Sequence, residues 1–335
     1  MILSYKEHTP IDFVITWVDG NDPKWNEEKK SYQPEKNTDD SVVRYRDWDN
    51  LQYWFRAVEK YAPWVNKIHF VTSGHLPKWL NVNHPKLNIV KHTDYIPTEY
   101  LPTFSSHPIE LNLHRIEGLA EQFVYFNDDT FLNAPVKPED FFKNGKPVDR
   151  LILSAITPSE EVTSRVIFNC VRVINKYFSK KELVKKNLLT LTNPFYGKDL
   201  MKTFLTMPFN MFTGFQNDHL PIAYTKALFE EVWKAEYELL HQTSMRKFRN
   251  ENDVSQWLFR YWNMAQGNIS PCSSRHGKFF NITSNNDKLY KAILNTKYKM
   301  LCCNDSDIDD DFEIQKQALI DIFEKKFPQK SGFEK

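Results

Sequence analysis

Two adjacent carboxylates behind an asparagine, Asn127-Asp128-Asp129, follow directly on the apolar run Phe123-Val-Tyr-Phe126. A short β-branched and aromatic run of this kind reads as a buried strand. Carboxylates at its carboxyl end sit where open α/β sheets bind ligands. Paired hard oxygens there suit Mg²⁺ or Mn²⁺, which would bridge to a substrate diphosphate. The competing reading is a plain turn capped by Asn and Asp side chains.

A second set, Trp17, Asp19 and Asp22, follows Phe13-Val-Ile-Thr-Trp-Val18. If the two strands are parallel neighbours, Asp19 and Asp128 point into one crevice. An ordinary Asp-Gly turn at Asp19-Gly20 explains the residues equally well. Arg44-Tyr-Arg46-Asp47 offers two guanidiniums one residue apart, and guanidinium suits bidentate phosphate contact. His107, in the polar loop Thr103 to Glu110, could act as an acid or base near neutral pH. Asp218-His219-Leu-Pro221 and Arg249-Asn-Glu-Asn-Asp253 add another His, Arg and carboxylate. A lone His is more often structural than catalytic. G-x-S-x-G, the P-loop, G-x-G-x-x-G and H-E-x-x-H are all missing from the chain. Their absence removes the commonest hydrolase, NTPase, dinucleotide and zinc-protease readings.

The elements that would position these residues alternate through the first half. Further strands are expected at Ile68–Val71 and Leu87–Val90, with the turn Ser73-Gly74 between them. Leu51, Trp54, Phe55, Val58 and Tyr61 recur at helical spacing, with Asp47 or Asp49 available as N-cap and Pro63 closing the helix. This spacing of strands and helices predicts βαβ units and a mostly parallel sheet. The texture changes over 160–205, where Lys180 to Lys186 reads as a solvated basic helix face. From about 218 to 265 the chain again reads as helical. Phe312, Leu319, Ile322, Phe323 and Phe327 fall on one face of a closing helix. The acidic run Asp305 to Asp311 fails as a calcium loop, because Asp310 stands where Gly is needed and Lys316 where Glu is needed.

The chain has 335 residues, 44 basic and 43 acidic, for a net charge of +1. That balance argues against a nucleic-acid partner, whose phosphates demand an excess of Lys and Arg. With 9 Trp, 15 Tyr and 25 Phe the chain can bury a sizeable core. No run of about 18 apolar residues is present, and the opening carries Lys6, Glu7 and His8 rather than an apolar signal core. The expected location is cytoplasmic. Cys170, Cys272, Cys302 and Cys303 lack metal-site spacing and are read as buried thiols. In that compartment the sequons at Asn268, Asn281 and Asn304 carry no meaning.

Residue chemistry alone reaches a metal-dependent α/β enzyme acting on a phosphate-bearing substrate. Longer segments resemble the Stealth family, the hexose-1-phosphate transferases of microbial capsules and surface polysaccharides. That family also contains the catalytic subunit of the lysosomal-enzyme N-acetylglucosamine-1-phosphotransferase. The first block resembles Ile11-Asp-Phe-Val-Ile-Thr-Trp-Val-Asp-Gly-Asn-Asp-Pro23. The second resembles Arg44-Tyr-Arg-Asp47, Tyr61-Ala-Pro-Trp64, Val71-Thr-Ser-Gly74, Leu101 to Ser106, Ile109-Glu110, His114-Arg-Ile116 and Phe126-Asn-Asp-Asp129. The third resembles Asn217-Asp-His-Leu-Pro221 and extends to Arg249 and Asp253. The fourth resembles Cys303-Asn-Asp305 and the closing Pro328 to Glu334.

The resemblance implies a GT-A-like, Rossmann-type, mostly parallel sheet with helical additions. Residues 1–155 and 206–335 would together form the catalytic domain, and 156–205 a helical insertion. It also implies a UDP-hexose donor, attack by an acceptor hydroxyl, a phosphodiester product and release of UMP. A conventional GT-A glycosyltransferase releasing UDP is the alternative. The stretch from Thr130 to Gln216 lacks the large inserted modules of the lysosomal enzyme, so a glycan acceptor is expected rather than a protein. A lipid-linked acceptor would bring the enzyme to the inner face of the membrane through assembly partners. In these terms Asp128 and Asp129, with Asp19 or Asp305, hold Mg²⁺ or Mn²⁺. Arg46 and Arg249 take phosphate oxygens, and Arg44, Asp47, Glu110, Asn127 and Asn304 complete the substrate site. His219 is the general base, His107 its substitute, and Asp253 belongs to the same catalytic set.

Overall fold

The computed structural model describes residues 9–32, 38–39, 41, 44–157, 159–306 and 311–335. Lys6, Glu7 and His8, and residues 307–310 of the acidic run, lie outside the described residues.

The four apolar runs of the first half pair side by side. The sheet order is Leu87–Lys91, Ile68–Thr72, Ile11–Thr16, Gln122–Phe126 and then Ile222–Thr225. The first four strands are parallel, and the fifth closes one edge antiparallel. A mostly parallel α/β sheet with helical additions is therefore what forms. Chain order reverses at Ile11–Thr16, which lies between Ile68–Thr72 and Gln122–Phe126. Such a switch point opens a crevice outside the carboxyl ends of the strands, where α/β folds take their ligands.

Side chains alternate across the sheet, so each strand feeds two cores. Phe13, Ile15, Phe70 and Phe126 face one side, against the helices Leu51–Tyr61 and Phe312–Lys326. Val14, Val71, Phe123 and Tyr125 face the other, against Val162–Tyr177, Lys226–Ala235 and Trp257–Ala265. Burial on both faces is why the strands read as continuous apolar runs rather than alternating ones. Trp54 and Phe55, fully buried on the first of these helices, are each worth about 1.5–3 kcal/mol of removed apolar surface. The same helix anchors the end of the chain: Arg56 donates to Glu334, Glu324 and the carbonyl of Phe327.

Several local expectations change. The Leu51–Tyr61 helix takes Asn50 as its N-cap residue, with no side-chain cap, because Asp47 Oδ1 instead accepts from the backbone N–H of Asp49. The 218–265 region is not wholly helical; the edge strand Ile222–Thr225 precedes its first helix. Lys180 is not part of a solvated face: it is buried, and its Nζ donates to the carbonyls of Thr206, Met207 and Phe209. All four cysteines are free thiols, but Cys272 is only half-buried. Among the described residues no helix is long and apolar enough to cross a membrane.

A second small sheet pairs Met300–Asn304 parallel to Gly277–Asn281 and antiparallel to Thr130–Leu132. It brings the chain's last quarter against the segment that follows Gln122–Phe126.

Candidate active site

Asn127, Asp128 and Asp129 occupy the turn between the strands Gln122–Phe126 and Thr130–Leu132. The turn is closed by Thr130, whose N–H and Oγ1 both donate to the carbonyl of Asn127 at 3.1 and 2.7 Å. The Asn and Asp side chains are therefore not spent on capping it. From the second sheet, the Cys303 N–H donates to the Asp129 carbonyl at 2.8 Å and the Cys302 thiol to Asp129 Oδ2 at 3.2 Å. Asp129 Oδ1 is buried and has no hydrogen-bond partner among the described residues. A bare buried carboxylate oxygen is costly, and such atoms mark places where a ligand or ion belongs.

This turn lines a cavity of about 220 Å³ at the switch point. Twelve of the residues singled out for chemistry line it: Trp17, Arg44, Arg46, Asp47, Glu110, Asn127, Asp128, Asp129, His219, Arg249, Asn304 and Asp305. Asp19, His107 and Asp253 do not. The strands Ile11–Thr16 and Gln122–Phe126 are parallel neighbours as anticipated. Asp19 is nevertheless not part of the lining: its Oδ1 closes the local turn on the Asn21 N–H, and its own N–H donates to His75 Nε2. Asp253 is fully buried, accepting from Arg246 and the Asn250 N–H and meeting His107 Nδ1 at 2.9 Å. The pair braces the turn that carries Arg249 and the short helix that carries Ser106.

His219 reaches the cavity from 92 residues further along the chain, and its Nε2 meets the Asn127 amide at 2.8 Å. The Asp129 carboxylate lies 3.5 Å from the same nitrogen. Burial alone would lower the imidazole pKa, but Asp129 outweighs it and raises it. Burial would likewise raise the Asp129 carboxyl, and His219 holds it below its ordinary value. The two shifts agree on a charge-stabilised contact. His219 Nδ1 has no hydrogen-bond partner among the described residues.

The backbone at His219 has φ +44°, a left-handed conformation that non-glycine residues enter only when their surroundings impose it. Two arginines grip the residues that precede His219. Arg150 pairs with Asp218, the residue before His219, and with Asp199. Arg260 donates to the Gln216 carbonyl at 2.9 Å and to Asn217 Oδ1 at 2.8 Å, and grips Asp149 with two bonds of 2.7 and 2.9 Å. Sequence reasoning missed Arg150, Arg260 and Cys302. They stand in no motif, and only their position beside the Asn217–His219 segment and Asp129 makes them relevant.

Withdrawal from bulk water and the carboxylates of Asp129 and Asp47 push the Asp128 carboxyl up to about 7. Its side chain still opens on the cavity, where water moderates that shift. Burial also raises Asp47. Glu110, almost fully buried, accepts from the Tyr125 hydroxyl at 3.3 Å and the Gln256 N–H at 3.4 Å.

The cations differ in their freedom. Arg46 holds both oxygens of Asp305 at 2.6 and 2.8 Å and the Ser306 carbonyl, so this acid and this base satisfy one another. Arg44 bonds Asp39 at 2.7 Å. Arg249 has no ion pair among the described residues; its Nη2 donates to Ser106 Oγ at 3.0 Å. Burial and the neighbouring Arg44 both lower its pKa, the mark of like charges gathered where an anion would relieve them. Asn304 Nδ2 donates to Asn281 Oδ1 and to the carbonyl of Asp305.

Residues 9–36 match the model of Stealth protein conserved region 1, and residues 44–149 that of Stealth protein conserved region 2. The chain is similar, at 46% identity over 333 residues, to a capsular polysaccharide phosphotransferase WcwK of Streptococcus pneumoniae, covering 98% of this chain and 99% of the relative. It is 40% identical over 330 residues to the receptor polysaccharide phosphotransferase WefC of Streptococcus oralis, covering 97% and 99%. An exopolysaccharide phosphotransferase, cps2G, of Lactiplantibacillus plantarum is 39% identical over 327 residues, covering 97% and 96%. Among solved structures, the galactosyltransferase LgtC in complex with donor and acceptor sugar analogs aligns over 92% of this chain and 95% of its own. The TM-score there is 0.37 at 9% identity.

Proposed function

The chain belongs to the Stealth family, and on that premise we propose that it transfers hexose-1-phosphate from a UDP-hexose to a hydroxyl of a capsular or surface glycan. In this reaction the acceptor oxygen attacks the sugar-proximal phosphorus, a new O–P bond forms, and the bridging P–O bond breaks to release UMP. The product is a phosphodiester. The observation that carries the reading is the charge layout of the cavity. Adjacent carboxylates, one with a buried oxygen that has no hydrogen-bond partner among the described residues, and a guanidinium with no ion pair among them line the same space.

His219 is the general base in this proposal. This role needs the ring proton on Nε2, facing Asp129, with Asn127 presenting Oδ1 there in place of the Nδ2 that lies at 2.8 Å; Nδ1 is then the nitrogen that takes the acceptor hydroxyl's proton. Asp129 then stabilises the imidazolium that forms. Arg249 and Arg44 bind the diphosphate and offset the charge that grows on its equatorial oxygens. Arg46 serves by staying locked to Asp305, which shapes the wall beside Asn304. Mg²⁺ or Mn²⁺ fits the hard donors Asp128 and Asp129, and would supply neutralising charge to the diphosphate when bound. Residues 1–155 and 206–335 act as the catalytic unit at the cytoplasmic face of the membrane, on a lipid-linked glycan.

Nucleotide product identity tests the reading. Purified protein is incubated with a panel of UDP-hexoses, Mg²⁺ or Mn²⁺ and a glycan acceptor, and UMP is resolved from UDP. Acceptor-dependent UMP is expected. UDP would instead mean attack at the sugar carbon and a conventional glycosyltransferase.

A further inference from the structure

Helix Leu200–Thr206 is turned inside out. Thr203 and Thr206, three residues apart, are its buried face. Thr203 Oγ1 accepts from the Leu153 N–H, and Thr206 Oγ1 bonds back to the carbonyls of Lys202 and Thr203. Met201, Phe204 and Leu205 occupy the opposite face and are 61%, 51% and 68% exposed. An amphipathic helix packed on a core points its apolar stripe inward; this one points it at the surroundings.

The neighbouring segments do the same. Leu188 and Leu189 end the preceding helix, Lys180–Leu191, with Leu189 87% exposed. Phe195 follows in the connection, and Phe209 and Met211 follow Leu200–Thr206, all more than half exposed. The Lys180 ammonium joins the start of the first helix to the carbonyls that end the second, which ties the two helices together at that end. Isolated exposed apolar residues need no explanation, but a concentration of this kind marks an interaction site.

The charge around it selects the partner. Lys181, Lys185, Lys186, Lys198 and Lys202 are exposed within the same stretch. The two acids there sit beside Lys186 (Glu182) and beside Arg150 and Lys202 (Asp199), and Lys181, Lys185 and Lys198 remain as the excess positive charge. Protein interfaces are depleted in lysine. Lysines bordering Leu, Phe and Met are instead the composition of a surface that lies in the headgroup region of an anionic bilayer.

We propose that the surface formed by residues 181–211 is a docking site for an anionic lipid bilayer, built into the chain itself. It does not depend on the catalytic reading. It also lies one side chain from the site, because Arg150 joins Asp199 of this surface to Asp218, the neighbour of His219. A docked enzyme would meet an acceptor carried on lipid from that side.

Flotation of the full chain with vesicles tests this directly. Vesicles of phosphatidylcholine with about one third phosphatidylglycerol are compared with pure phosphatidylcholine. The wild-type protein should float with the anionic vesicles, less so at high salt, where charges are screened. A triple variant, Leu189→Ser, Phe204→Ser and Leu205→Ser, should bind at least about tenfold more weakly. Lys185→Gln with Lys186→Gln should weaken binding severalfold on anionic vesicles alone. Neither change touches the cavity, so nucleotide release with a soluble acceptor should be unaltered. Hydrogen exchange of the wild-type chain should show residues 188–211 protected by anionic vesicles, a readout that needs no variant to fold. Equal flotation of the triple variant, or no flotation of wild type, would overturn the proposal. So would a wild-type dimer that the triple variant dissolves without any vesicle binding, since the surface would then serve a second copy of the chain.

Discussion

Replacing Arg150 by glutamine tests whether charge holds the His219 loop in its strained conformation. Arg150 is shared by two acids: Nε donates to Asp218 Oδ2 at 3.0 Å and Nη1 to Asp199 Oδ2 at 2.8 Å. Arg150, Asp199 and Asp218 are 10%, 19% and 20% exposed, so water does little to screen them. Removing one partner of a buried pair costs about 3–5 kcal/mol, because a charge is left uncompensated. Here each acid keeps a weaker contact: Asp218 with Gln216 at 3.1 Å, and Asp199 with Lys202 at 3.5 Å. The lower end, about 3 kcal/mol, is therefore expected. Holding His219 at positive φ costs about 1–3 kcal/mol, no more than the clamp supplies. Without the clamp the loop should relax and carry the imidazole away from Asn127 and Asp129. A loss of about 1–3 kcal/mol in positioning corresponds to a fall in kcat of roughly 5- to 150-fold. The donor KM should hold within about twofold, since Arg44 and Arg249 remain. Urea unfolding measures the first quantity, and steady-state nucleotide release the second and third. Arg150→Lys should recover part of each, since an ammonium restores charge but not the two-sided geometry. Unchanged stability and kcat in Arg150→Gln would refute the clamp. Lost stability with full kcat would show that the loop holds its own shape.

Asp128→Ala should lower transfer by about 10³-fold with native circular dichroism, because its side chain is exposed on the cavity; wild-type turnover would remove Asp128 from the metal assignment. Gly20→Ala should raise the donor KM about tenfold, because its Cβ would collide with the Tyr45 carbonyl between Arg44 and Arg46; an unchanged KM would separate that segment from donor binding. Glu334→Gln should lower the unfolding free energy at pH 7 by about 1–3 kcal/mol. Burial works to raise the Glu334 pKa, but Arg56 and the Ser331 N–H outweigh it and hold it below 4.5. The contribution is thus complete above that pH and lost as pH falls through the lower, folded value. The gap between Glu334→Gln and wild type, followed by urea unfolding, should close in acid; an equal gap at both pH extremes would contradict this.

The parallel strands were legible because a strand covered on both faces writes itself as a short apolar run. The helix Leu51–Tyr61 was legible because its buried residues repeat at helical spacing. The edge strand Ile222–Thr225 was not, since its four residues precede a long helical pattern and only one neighbour specifies it. Asn127-Asp128-Asp129 stood out because acids at a strand's end have one obvious place to point. Asp19 does not line the cavity: its Oδ1 closes a local turn on the Asn21 N–H, and its own N–H is held by His75, 56 residues further along the chain.

Residue type and order, then, determined which groups could do chemistry and that a parallel α/β sheet would carry them. Tertiary structure decided which groups meet. It set His219 on Asn127, locked Arg46 to Asp305, left Arg249 beside Arg44 with no ion pair among the described residues, and drew His107 and Asp253 behind the wall. Strand and helix follow from neighbours in sequence. Pairings across 92, 146 or 259 residues depend on the path of the whole chain and on which partner reaches a buried charge, and no local spacing records that competition.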